Sequence, residues 1–257
     1  MLESRVLSKD DFVEWGKDYV LFLHNTSHVE DEPYPNLLKE KGGTGFPTLM
    51  FMDAEGKVLA VHRGPRSLEG FTKSAEKARE YLRLREAAAK GDGKARVRLL
   101  LLDLEMGGFD PKDARDRLDA LGDSMSEEDR EKAEQKIVDK EVAGELNRRL
   151  RALRGKPRTE IMKAYRETVV DLFRKGMVPS DRSGIGYMVQ LGSAALESGD
   201  AKFREKVLDT LESFRKKVPM YGRYLKPVIE KLESKIGDSD EEGEEEEEHE
   251  GRRKQGG

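Results

Sequence analysis

From Ser67 almost to the end of the chain, apolar residues recur three and four positions apart and do not alternate. This pattern restricts two thirds of the sequence to one kind of structure, because a strand buries every second residue and a helix buries a stripe of period 3.6. The stripe runs through Leu68, Phe71, Ala75, Ala78 and Leu82. It continues through Val97 to Met106, Ala114 to Leu121, Ile137 to Leu153, Ile161 to Phe173, Ile185 to Leu196 and Phe203 to Phe214, and Tyr224 to Ile236 closes the series. Each run ends where helices end. The breaks are Gly91–Gly93, Gly107–Pro111, Gly122–Asp129, Gly155–Pro157, Gly176–Gly184, Gly199-Asp200 and Pro219. The pattern predicts an all-α array of helical hairpins over residues 84–236.

Residues 1–83 read differently. Ser8 and Asp11 mark a helix start, with Phe12 and Trp15 on one face before Gly16. Tyr19 to His24, "YVLFLH", is a short apolar run that predicts a buried, parallel strand. After a polar loop, Pro35 opens a short helix through Leu37, Leu38 and Lys39 that ends at Gly42-Gly43. Thr48 to Asp53 predicts a strand, Asp53 to Gly56 a turn, and Lys57 to His62 the antiparallel partner. The last segment, 237–257, carries Glu244 to Glu248 and then Arg252, Arg253 and Lys254, with no apolar residue after Ile236. Such a composition predicts a disordered acidic tail.

Composition excludes several classes of function. Charged residues make up 39% of the chain but nearly cancel to a net −4, so no basic excess points to nucleic acid. No apolar run reaches the length of a membrane span, and MLESRVLSKDDF has no signal-peptide core. There is no cysteine, which rules out disulfides and thiol chemistry within this sequence. His24 and His28 lie near Glu30, Asp31 and Glu32, but a strand end and a loop do not align them as metal ligands, so the expectation is a solvated acidic loop. The glycines of Gly42 to Gly45 lead into a strand instead of a helix N-terminus and make no phosphate cradle. Asn147 to Arg158 interleaves arginines with leucines, as the solvated side of a helix does. No Ser-His-Asp set or isolated carboxylate pair stands out as catalytic.

The order helix, strand, helix, glycine-rich approach, X-Pro-Thr, strand, DxxGK turn, strand, helix resembles a thioredoxin-like domain. Gly45-Phe46-Pro47-Thr48, then Phe51, Asp53, Gly56 and Lys57, carry the resemblance, which covers residues 1–83. An ordinary β-hairpin with a proline at its strand start is the alternative reading. The resemblance implies a cis Phe46–Pro47 bond and a substrate-binding loop of Thr44, Gly45, Phe46, Pro47 and Thr48 that pairs with an extended polypeptide. In that family a central strand and a CxxC turn precede the first helix, and this sequence has neither. The fold implied is therefore an incomplete α/β thioredoxin-like domain, whose strands at Val20 to Leu23 and Leu49 to Met52 would have open edges prone to association.

Two functions follow from the resemblance. One is the C-terminal portion of a thiol-disulfide oxidoreductase whose CxxC lies upstream. The other is a redox-inactive protein-binding module, similar to bacterial co-chaperones that join thioredoxin-like and tetratricopeptide-like parts. The second part rests on "LGSAALESGD", where Leu191, Gly192, Ala194, Gly199 and Asp200 resemble the first helix and turn of a tetratricopeptide repeat, although Arg204 stands where that family has a small residue. No cofactor is implied. The expected partners are a polypeptide along the proline loop and a protein on the helical array. Localisation reads as cytoplasmic from the sequence given, and as periplasmic or secreted if a signal peptide lies upstream.

Overall fold

The computed structural model describes residues 3–24, 33–43 and 45–237. Helix starts follow the breaks in the sequence closely. Ser67 caps α3 (Leu68–Ala89) by accepting from the Gly70 amide, and Asp92 caps α4 (Gly93–Met106) through the Ala95 amide. Asp110 accepts from two amides at the start of α5 (Pro111–Leu121), where Pro111 occupies the first turn. Ser126 stands before α6 (Glu127–Ala152) and accepts from the Asp129 amide at 3.2 Å. Each of these side chains satisfies an amide that the helix itself cannot. Then come α7 (Arg158–Arg174), α8 (Ile185–Glu197), α9 (Ala201–Lys217, capped by Asp200) and α10 (222–237). Among the described residues after Leu84 there is no strand, as the period predicts.

The chain forms two compact units, 1–134 and 135–257. Arg83, where the sequence pattern changes, falls inside α3, and α4 and α5 belong to the first unit.

In unit 1, α1 (Asp10–Gly16) and the single turn α2 (Leu37–Glu40) precede a two-stranded antiparallel sheet. Its strands are β1 (Met50–Met52) and β2 (Val58–Val61). Met50 faces Val61 and Phe51 faces Ala60, after which the register slips and Met52 faces Val58. The turn between them closes through Gly56 N–H to the Asp53 carbonyl (3.0 Å), with Gly56 at φ 75°, a backbone setting that glycine reaches without strain. Asp53 also accepts the Lys57 amide at 2.8 Å and pairs with Arg85 at 2.6 Å, fastening the turn to α3. The Arg85 bond, together with the Lys57 amide, holds the Asp53 carboxyl below the ordinary carboxylate range. The sheet, α3 and α4 share a core of Leu59, Ala60, Ala78 and Tyr81, and α3 meets α1 through Phe12 and Phe71.

Two expectations about strands are corrected. Tyr19 to His24 is not a buried strand: the run is irregular, with Val20 97% and Leu23 91% exposed. An apolar run becomes a central strand only if neighbours pair its backbone and cover its faces. Among the described residues the sheet has two strands, and the run is held at its start, where Tyr19 packs on the rings of Trp15 and Phe51 and accepts from Arg79 at 2.8 Å and Leu21 lies beside Gly16. The second correction is small. β1 begins at Met50 and not Thr48, although the His62 amide extends the pairing to the Leu49 carbonyl. Of the predicted tail 237–257, Gly237 ends α10 and 238–257 lie outside the described residues.

Unit 2 packs α7 on α8 and α8 on α9, with α10 against α8. Its core contains Val169, Leu172, Tyr187, Met188, Leu191, Val207, Leu211, Leu225, Ile229 and Leu232, all spaced at helical period. Gly192 sets the closest approach, since a Cβ there would lie 2.4 Å from Val228 Cγ1 and 3.2 Å from Leu211 Cδ1. Asp139 of α6 ties down the loop before α8 by accepting the Ser180 amide at 2.7 Å.

Candidate functional site

The loop that the resemblance nominates lies at the surface. Gly45, Phe46 and Pro47 are exposed, Phe46 to 72%, and Thr48 is half-buried. The Phe46–Pro47 bond is cis. Thr48 Oγ1 donates to the Gly45 carbonyl at 2.6 Å, closing a local turn over Phe46-Pro47 and presenting the phenyl ring outward. Lys41 Nζ donates to the Gly56 carbonyl at 2.6 Å, fixing the approach segment to the hairpin turn. Thr44 lies outside the described residues. β2 fills one edge of β1, and no strand fills the other among the described residues. A short loop with an exposed aromatic thus leads into a strand with one open edge, an arrangement that can hold an extended chain by main-chain hydrogen bonds.

Behind the hairpin lies an aromatic cluster. Phe12 packs edge-on against Phe71 at 5.4 Å, Trp15 contacts both Phe12 and Phe51, and Tyr19 lies 4.5 Å from Trp15. These rings give the β1 face a stiff apolar backing.

In the sequence His62 is only the end of a strand, and the structure gives it a larger part. It is buried, stacked on Phe71 at 4.5 Å, with Nδ1 2.8 Å from Ser74 Oγ. Because Ser74 Oγ already donates to the Gly70 carbonyl, it accepts from His62, which assigns the proton to Nδ1. Nε2 forms no hydrogen bond. Burial pushes the imidazole below its ordinary value, the Pro65 carbonyl opposes this, and Arg66 adds to the lowering. The folded state therefore binds fewer protons at His62 than the unfolded chain does. Stability from this site is present above the unfolded value of about 6.5 and is lost as pH falls through and below it. Urea melts followed by Trp15 emission at pH 7.5 and 5.5 are expected to show this loss, and His62→Gln should shrink it. An equal loss in the variant would exonerate His62. A lone histidine at a strand end carries no sequence signal for this setting, which depends on Phe71 and Ser74 of α3.

The other candidates resolve simply. His24 Nε2 lies 2.9 Å from the Tyr34 carbonyl, while His28, Glu30, Asp31 and Glu32 lie outside the described residues. No group able to hold a metal ion occurs among the described residues. The arginines of Asn147 to Arg158 are exposed, and Arg148 pairs with Glu145 on its own helix. No described helix is long and apolar enough to cross a membrane. Comparison of the chain with protein-family models, with curated proteins and with solved structures found no match.

Proposed function

We propose that residues 1–83, within unit 1, form a thioredoxin-like part that holds an extended polypeptide along Gly45, Phe46, Pro47 and Thr48, and that the chain is a protein-binding module. The helical hairpins, tetratricopeptide-like at Leu191 to Asp200, would supply a second protein-binding surface, as in the co-chaperones that the sequence resembles. The observation that carries this reading is the exposed Phe46 loop leading into the open edge of β1. With no cysteine present, this sequence can bind through that loop but cannot itself exchange disulfides. The test is fluorescence anisotropy with a labelled, unfolded Val- and Ser-rich peptide. Binding should weaken about tenfold in Phe46→Ala, the scale of an exposed aromatic anchor. Absence of binding, or binding indifferent to Phe46, overturns the proposal.

A second reading keeps the same loop in a longer, redox-active protein. What favours it is the run Val20 to Leu23, four consecutive exposed apolar residues that a neighbouring strand would cover. In that reading an upstream thiolate attacks a disulfide while Gly45 to Thr48 hold the substrate backbone. The upstream reading frame distinguishes the two: a strand followed by CxxC supports the enzyme, and a stop codon directly before Met1 removes it.

A further inference from the structure

Away from Gly45 to Thr48, a groove of about 450 Å³ opens between β2, the turn after it, and facing stripes of α3 and α4. That size is within the usual range for small-molecule pockets, about 300–1,000 Å³. Its floor is apolar: Leu59 is buried, and Leu102 and Met106 are half-buried against the core around Tyr81. Its rim is mainly cationic, with Arg63, Lys73, Lys77 and Arg98 set against Glu80 and Glu105.

Part of that charge is offset, by Glu69 on Lys73 and by Glu80 near Arg98, and Arg63 and Lys77 make none of the ion pairs seen among the described residues. Lys73 turns to Glu69 at 2.6 Å, outside the groove lining, and Arg98 reaches Glu80 only at 3.9 Å. Arg63 donates to main-chain carbonyls, those of Glu105 at 3.2 Å and Met106 at 3.4 Å. These bonds fix the guanidinium at the groove edge without cancelling its charge. Lys77 stands between Lys73 and Glu80 on the same stripe of α3 and is exposed.

We propose that this groove is a binding site for an amphipathic carboxylate: an alkyl or aryl body seated on Leu59, Leu102 and Met106, its carboxylate held by Arg63 and Lys77. An apolar floor alone would accept any hydrophobe, and a basic rim alone any anion. The two together select a molecule with both parts, and Arg63, with two of its five N–H groups given to carbonyls, keeps donors for a carboxylate. The site does not depend on the polypeptide-binding reading, since it uses none of the same residues.

Calorimetric titration of the full chain with decanoate, and methyl NMR of the same samples, tests it. Decanoate should bind and shift the Leu59, Leu102 and Met106 methyl signals. Acetate, with the charge but no apolar body, and decyltrimethylammonium, with the body but the opposite charge, should not. Lys77→Glu, an exposed change, should weaken decanoate at least tenfold, and raised salt should weaken it in the wild type. No binding, equal binding of decyltrimethylammonium, or shifts confined to Leu21 and Leu23 would each overturn the proposal.

Discussion

Leu191→Ala is expected to destabilise unit 2 by about 2–5 kcal/mol, the range for deleting a buried leucine side chain. Leu191 is fully buried at the centre of α8, in the cluster that α7, α9 and α10 also feed. Three features place the effect toward the upper end. Neighbouring Gly192 already brings α8 into tight contact with Val228 and Leu211, so the helices cannot close further over a hole. Met188 and Ala195, one turn to either side, are likewise fully buried, so no solvent-facing side chain can swing in. And Tyr187 is tethered by its hydroxyl to the Met177 carbonyl at 3.0 Å, which limits its rearrangement. Chemical denaturation of the full chain followed by far-ultraviolet circular dichroism measures the change. A loss under about 1 kcal/mol would mean that the helices relax into the cavity, contrary to the packing described.

In unit 1, Asp103→Ala is expected to cost about 3 kcal/mol, the low end for breaking a buried charged pair. Asp103 is buried on α4 and joins three elements: Tyr81 of α3 donates to Oδ1 at 2.6 Å, and Arg117 of α5 lies 2.8 Å from Oδ2. The Arg117 contact lacks hydrogen-bond alignment, so it acts through charge. Alanine would strand the Tyr81 hydroxyl in a place where burial, reinforced by the Asp103 bond and charge, already pushes its ionisation well above the ordinary tyrosine value. Arg117 would suffer less, since it is a third exposed and keeps Asp113 at 3.7 Å. Tyr81→Phe removes the hydroxyl but leaves Asp103 Oδ1 without a donor, and should cost about 1.5–3 kcal/mol, the range for a hydrogen bond to a charged group. Combining the two changes should therefore cost clearly less than their sum. Additive losses in urea melts would show that the carboxylate and the hydroxyl do not act as one unit.

The Asp103 network does not announce itself in the sequence. Asp103 sits at a helical position flanked by Leu102 and Leu104, where a carboxylate would ordinarily be counted as solvated, and Tyr81 and Arg117 are 22 and 14 positions away. Only the packing of α3, α4 and α5 reveals that the three side chains meet. His62 is a similar case, its environment made by residues of the following helix.

What the sequence determined by itself was local. Helix positions followed from the 3.6 period, and the caps Asp92, Asp110, Ser126 and Asp200 fall in the breaks the sequence shows, because an amide at a helix start needs an acceptor wherever the helix goes. The hairpin turn followed from Asp53 and Gly56, whose backbone requirements are equally local. Tertiary structure decided the fate of Val20 to Leu23. Whether an apolar run becomes a strand depends on backbone partners elsewhere, and with a sheet of two strands this run stays exposed. It also placed Phe46 on the surface and gathered Arg63, Lys77 and Leu102 around one groove. Surfaces and long-range pairs are fixed by how elements pack, and a one-dimensional period carries no information about distance between residues on different helices.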